Sequence, residues 1–260
     1  MPKDDKILSR PYSPIDLAPE MAAVGVTRSV IIQAAPSIEE TEYILGIADV
    51  TPTVAGVVGW IDFNNPKHSY HLERLARHPK FKGVRPMIQD IPDPNWMLCE
   101  EVAWAFRSIV ELDLTFDALG LPIHLDKFLN LFTRYPEMRV VIDHCMKPEI
   151  KRGKKFNFDI WAEGMTHLAQ ETNAYCKLSG LITEDREDWN VESLRPYAAH
   201  ILEIFTPYRT MWGSDWPVCK LRGEYDDWHR AAKELTAYLT EVEIERVFGG
   251  TAEKFYSLTD

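Results

Sequence analysis

Seven short runs of β-branched and apolar residues, each followed by a stretch with helical spacing, constrain this chain more than any other feature. They are SVIIQAA (29–35), VAGVVGWIDF (54–63), FKGVRPMI (81–88), LTFDALGL (114–121), RVVIDHC (139–145), AYCKLSG (174–180) and YRTMWGSD (208–215). Each is apolar on both faces or nearly so, the pattern of strands buried in a parallel sheet. The intervening stretches are amphipathic. SIEETEYILGIA opens on Ser37 with Glu40 three residues on, a capping-box pattern. SYHLERLARHP and HLDKFLNLFTRYP stop at Pro79 and Pro136, and DIWAEGMTHLAQET and SLRPYAAHILEIF supply two more helices. EVEIERVFGGTAEKFYSL predicts a C-terminal helical region that breaks near Gly249–Gly250.

Strict alternation of strand and helix over residues 1–260, with no Ser/Gly linker or shift in composition, predicts a single α/β domain. A doubly wound sheet and a (β/α)8 barrel both satisfy that alternation. The polar residues favour the barrel. Arg85, Asp117, His144, Lys177 and Asp215 fall at or near the C-terminal ends of five different expected strands. A barrel brings those ends to one mouth, where active sites form. No GxGxxG follows the first strand, so a dinucleotide-binding fold has little support.

A net charge of −11 argues against nucleic acid and anionic membrane as partners. The basic run KRGKK (151–155) reads as a solvated loop. No apolar run reaches the roughly 18 residues that span a bilayer, and the N-terminus lacks the apolar segment of a secretory signal. The four cysteines, Cys99, Cys145, Cys176 and Cys219, form no CxxC. These features suit a reduced, cytoplasmic protein acting on a small molecule. Oligomeric state is not legible.

GVRPMIQ, LTFDALGLPIHL, VVIDHCMKP, YCKLSGL and WGSDWPV occur in this order and at this spacing. Together they resemble the amidohydrolase-related family of TIM-barrel hydrolases that includes sugar-acid lactonases and 2-pyrone-4,6-dicarboxylate lactonase. The resemblance covers roughly residues 12 to 258. It implies a (β/α)8 barrel, hydrolysis of a lactone or similar carbonyl compound, and a last-strand aspartate that handles water. Asp215 matches that aspartate, His144 the histidine of the DH…KP strand, and Arg85 the arginine of the GVR strand. Members of the family open with a strand ending in His-x-His, and this sequence has none. Either it begins too late to include that strand, or the barrel works with its first strand missing or atypical. His144 and Asp215 alone supply two metal ligands where catalytic zinc has three. The expectation is therefore no metal, or a weakly held divalent ion such as zinc.

Asp215 lies between Trp212 and Trp216, in a setting that disfavours an unpaired charge. It is the expected general base, with His144 as its catalytic partner. The alternative for Asp215 is a helix cap or ion pair, and for His144 a satisfied core histidine. Arg85 needs an anion, a carbonyl or a paired acid. Arg85, His124, Asp117, Lys177 and Trp216 are the candidate substrate-binding residues. His124 is equally readable as the N-cap region of the next helix, and Lys177 as a buried ion-pair partner. Asp143 reads as structural. His68, His71, His78, His167, His200 and His229 read as surface residues on helices or their ends. Trp189 reads as loop packing placed to cover a substrate. The resemblance leaves two other functions open, a metal-dependent amide hydrolase or decarboxylase and a non-catalytic binding barrel.

Overall fold

The structure, a computed structural model, describes residues 6–153 and 158–258. Lys154 and Lys155 of the basic run therefore lie outside the described residues, while Lys151 and Arg152 are exposed. The strands are β1 (Ser29–Ile32), β2 (Val54–Gly59), β3 (Phe81–Val84), β4 (Thr115–Ala118), β5 (Arg139–Ile142), β6 (Tyr175–Leu178) and β7 (Thr210–Trp212). All pair in parallel with their sequence neighbours, in the order β1 to β7. A doubly wound sheet reverses its strand order at a switch point. This sheet never does, so it curls in one direction as a partial barrel with helices outside. Among the described residues β1 and β7 are its two edges, where an eighth strand would stand.

Each strand is shorter than its apolar run. β5 ends at Ile142 and β7 at Trp212, so His144 and Asp215 lie in the loops beyond them. The helices are α1 (Pro14–Ala23), α2 (Ile38–Val50), α3 (Ser69–Ala76), α4 (Ala103–Glu111), α5 (Leu125–Arg134), α6 (Phe158–Glu171), α7 (Leu181–Glu184), α8 (Val191–Phe205), α9 (Tyr225–Leu235), α10 (Glu241–Glu245) and α11 (Thr251–Phe255). Ser37 caps α2 by accepting the Glu40 N–H at 3.0 Å, but the Glu40 carboxylate reaches the Ala34 N–H instead of closing the box. Gly249–Gly250 does not break the C-terminal region, because a π turn over Arg246–Gly250 carries α10 into α11. No helix among the described residues is long and apolar enough to cross a membrane.

The larger apolar layer lies between sheet and helices, with Phe106, Phe128, Trp161, Phe205 and Trp228 buried in it. Burying one such side chain is worth roughly 1.5–3 kcal/mol. β3 and β4 approach so closely that a side chain at Gly83 would meet Thr115 oxygens at 2.1 and 2.2 Å. Only glycine allows that contact. Inside the barrel Val58, Val141 and Met211 pack with Phe255 and Tyr256, which the C-terminal segment brings in beneath them. Arg139 Nη1 donates to the Phe255 carbonyl at 3.0 Å and Lys82 Nζ to the Ser257 carbonyl at 3.2 Å, which fixes that segment.

Above this apolar floor the interior turns polar. Lys177 Nζ stands 2.5 Å from Asp117 Oδ2 and 2.7 Å from Asp143 Oδ1. The Tyr256 hydroxyl donates to Asp117 Oδ2 at 2.7 Å, and Arg85 Nη1 to Asp143 Oδ2 at 3.2 Å. Both carboxylates are fully buried. Desolvation alone would raise the Asp143 carboxyl, but Lys177 and Arg85 outweigh it and hold Asp143 below the usual carboxylate range. Its stabilising share is present above the ordinary carboxylate range and is lost as pH falls through the lowered value. Desolvation likewise opposes the charge of Lys177, and Asp117 and Asp143 overcome it, so its ammonium is held above the ordinary range.

Replacing Lys177 with methionine keeps most of the volume and leaves two buried carboxylates without their shared cation. We expect a loss of about 3–5 kcal/mol at neutral pH, a fall in Tm of roughly 6–20 °C for a chain of this size. The deficit should narrow as pH falls, because the buried carboxylates left without Lys177 take up protons more readily than in the wild type. Thermal melts at pH 7 and pH 4.5 measure both, and a variant as stable as the wild type at pH 7 would refute the stabilising role.

Candidate active site

Beyond Ile142 the backbone leaves the strand in an unusual way. His144, Cys145, Met146 and Lys147 have φ of 51°, 51°, 58° and 50°, a left-handed turn of four residues that all carry a Cβ. Each such residue costs about 1–2 kcal/mol, so the surroundings must hold it. Cys145 and Met146 are buried in the outer apolar layer. Trp161 Nε1 donates to the Cys145 carbonyl at 2.8 Å, and the Lys147 N–H closes on the His144 carbonyl at 2.8 Å. Asp143 keeps the inward direction set by Val141, while His144 is turned across the mouth.

The imidazole rests on bare backbone. Gly180 has φ 68°, and any side chain there would meet the His144 Cβ, Cγ and Nδ1 at 2.9 Å. His144 Nδ1 lies 2.8 Å from Ser179 Oγ, and Nε2 lies 3.7 Å from Asp215 Oδ1. Burial pushes the imidazole below its ordinary range, more than the carboxylates of Asp215 and Asp143 lift it. Asp215 also has positive φ, 54°, and its carbonyl accepts the Cys219 N–H at 2.8 Å. Its side chain is 12% exposed, enough to meet a small molecule at the mouth. The Trp216–Pro217 peptide that follows is cis.

The other candidates separate by depth. Arg85 lies just below the pair, clamped by Asp143 and by the Gln33 carbonyl, which its Nη2 meets. Gln33 returns a bond from Nε2 to the Arg85 carbonyl at 2.7 Å, locking β1 to β3. Asp117 and Lys177 are buried ion-pair partners under the mouth, and substrate cannot touch Asp117 without displacing its partners. Asp143, read as structural, is buried between Lys177 and Arg85. His124 is buried, its Nδ1 accepting the Leu121 N–H at 3.0 Å beside Phe128, so it shapes the start of α5 and stands apart from the pair. Trp216 is half-buried and meets Tyr12 edge-on at 4.9 Å. Trp212 does not flank the base, because it faces outward onto Phe248, Tyr225 and His229. Trp189 ties its loop to the next through the Arg222 carbonyl at 2.7 Å.

Of the six histidines read as surface residues, only His167 is exposed, and His200 packs against Trp161. Ser179, Gln33 and Tyr256 escaped the sequence reading. Ser179 alone had a signal there, standing two residues past Lys177 in KLSG and so on the same face of the strand. Glu184 on α7 adds a half-buried carboxyl that burial raises, against the pull of Lys147 and Lys151 and with a further push from Asp215.

Known proteins share this architecture. A crystal structure of an amidohydrolase from Burkholderia multivorans, with bound zinc, superposes with a TM-score of 0.91 at 30% identity, over 97% of this chain and 91% of that one. A Burkholderia ambifaria protein named L-fucono-1,5-lactonase is 39% identical over 253 residues, 96% of this chain and 86% of the relative. A second protein of that name, from Burkholderia multivorans, is 31% identical, over 98% of this chain and 88% of the relative. The amidohydrolase family model matches residues 1–258, and the chain belongs to that family.

Proposed function

We propose that the protein hydrolyses a sugar-acid lactone, with Asp215 as general base and His144 as its partner. The likeness to two L-fucono-1,5-lactonases along nearly the whole chain carries this reading. The site supports it chemically. With the Ser179 hydroxyl, 2.8 Å away, as donor to His144 Nδ1, the ring proton is carried on Nε2, facing Asp215. Asp215 takes a proton from water as the water attacks the lactone carbonyl. The Nε2–H of neutral His144 donates to the oxygen on which negative charge develops, and Arg85 adds a fixed positive charge from behind. The tetrahedral intermediate collapses, the ring C–O bond breaks, and Asp215 returns its proton to the leaving alkoxide. Trp216 offers an aromatic face to the sugar ring.

A second reading comes from the zinc in the Burkholderia multivorans structure. His144 and Asp215 make two donors here, and among the described residues no group of three or more His, Cys, Asp and Glu side chains is placed to hold an ion. Asp117 and Asp143 already face Lys177 and Arg85. This donor set does not fit a resident catalytic zinc, and the proposed hydrolysis runs on side chains alone. A divalent ion held weakly between His144 and Asp215 is the most it accommodates.

A panel of aldonolactones followed with a pH indicator tests the activity, since ring opening releases acid. Asp215→Asn should lower turnover by about 100- to 10,000-fold with little change in Tm, because asparagine fills nearly the same space. A lowered Tm with an unchanged rate would sink the assignment of Asp215. The neutral imidazole sets the pH response. Its lowered pKa means that activity should persist as pH falls through about 6.5, the ordinary midpoint of histidine. An acid limb centred at or above that value would contradict it. Elemental analysis should find well under one zinc per chain, and EDTA dialysis should leave the rate unchanged. One equivalent of zinc that tracks with activity would favour the second reading.

A further inference from the structure

We infer that Tyr256, near the C-terminus, is a positioning residue that sets the mouth from the opposite end of the barrel. The inference rests on the proposed hydrolysis for its kinetic readout and on direct contacts in the barrel for its geometry. Tyr256 is 3% exposed, and its ring packs with Val58, Val141, Met211 and Phe255. Its hydroxyl is the one part that leaves this apolar cluster. It donates to Asp117 Oδ2 at 2.7 Å, the same oxygen that receives Lys177 Nζ at 2.5 Å. Lys177 continues to Asp143 Oδ1 at 2.7 Å, and Asp143 Oδ2 to Arg85 Nη1 at 3.2 Å. Asp143 is covalently followed by His144. A chain of direct contacts thus runs from the tail to both mouth residues that handle the carbonyl oxygen.

Three features make this a coupling and not only a packing contact. The tail has no freedom to compensate, because Arg139 and Lys82 hold the carbonyls of Phe255 and Ser257. Asp117 Oδ1 is buried without a hydrogen-bond partner, so Asp117 depends on Oδ2 and its two donors for orientation. These groups are buried, and in a low-dielectric interior a lost donor is felt along the chain of charges. Removing the hydroxyl leaves Lys177, among the described residues, as the only group bonded to the Asp117 carboxylate. Lys177 is then drawn towards Asp117 and away from Asp143, and the hold of Asp143 on Arg85 and on the start of the left-handed turn changes.

The test is Tyr256→Phe, which keeps the ring and deletes one oxygen, beside Phe255→Leu, which loosens the same cluster without touching the polar chain. The first readout needs no substrate. The His144 imidazole is titrated by NMR in both variants and in the wild type. It is faced by Asp215, Asp143, Lys147 and Arg85, and a changed Asp143–Arg85 pair should move its midpoint by about half a unit in Tyr256→Phe. Phe255→Leu should leave it in place. The second readout is lactone turnover, where we expect kcat to fall about tenfold in Tyr256→Phe with KM within about twofold, and Phe255→Leu to stay near wild type at temperatures where both are folded. If Tyr256→Phe lowers Tm but leaves the His144 midpoint and kcat unchanged, Tyr256 is a packing residue and the inference is wrong. If the wild type opens no lactone, the proposed function fails, and the His144 titration still decides the inference.

Discussion

Lys177 between Asp117 and Asp143 is the contact on which the rest of the barrel depends. One ammonium holds two fully buried carboxylates, drawn from β4 and from the end of β5, and each carboxylate engages another part of the molecule. Asp117 reaches down to the C-terminal tail through Tyr256, and Asp143 reaches across to β3 through Arg85. Burying these groups separately would cost several kcal/mol per ion, and the cluster is tolerable because every charge has an opposite charge beside it. The result is a rigid polar plate between an apolar floor and the mouth. Buried charge clusters contribute little to stability compared with well-packed apolar side chains. Orientation of what lies above is the function that this plate supports best.

The left-handed turn after β5 depends on the same plate. Asp143 is pinned below the backbone and Trp161 pins the Cys145 carbonyl above it, so residues 143–147 are fixed at both ends. Between those points the chain has to reverse sharply, and it does so with four residues that each carry a Cβ in the αL region. The geometry carries His144 from the strand axis to the position over Gly180, where its two nitrogens face Ser179 and Asp215. Strain of this kind persists where the surroundings over-determine it, and it concentrates at sites that act on ligands.

Much of this was legible in the sequence. The strands announced themselves because residues such as Val57–Val58 and Val140–Val141 are buried on both faces, which leaves an uninterrupted β-branched run. Their ends were overestimated, and His144 and Asp215, near the ends of two of the runs, sit on left-handed backbone that no residue pattern marks. Three helices were missed. Ala103–Glu111 and Tyr225–Leu235 lie behind 3₁₀ turns that hide their starts, and Leu181–Glu184 is a single turn too short to show a period. Asp215, His144 and Arg85 were singled out because motif order pointed to them, and the fold gathers them at one end of the barrel. Ser179 and Tyr256 were harder, because their partners stand 35 and 139 residues away and only the fold brings them together. Trp212 was misassigned by treating the tryptophans on both sides of Asp215 as equivalent. Met211 takes the inward direction, so its neighbour Trp212 faces out.

The two edges of the sheet have a consequence for how the protein behaves in concentrated solution. An unpaired strand offers a ladder of N–H and C=O groups to any other chain, and long flat edges of this kind seed aggregation. Here the edges are short, four residues in β1 and three in β7. β1 begins directly after Arg28, whose guanidinium pairs with Glu253 of α11 at 2.5 Å beside it. Short length and a charged flank are the usual protections of natural edge strands. The net charge of −11 adds repulsion between copies at neutral pH. Colloidal stability is therefore written into the same two short strands that, among the described residues, border the gap in the barrel.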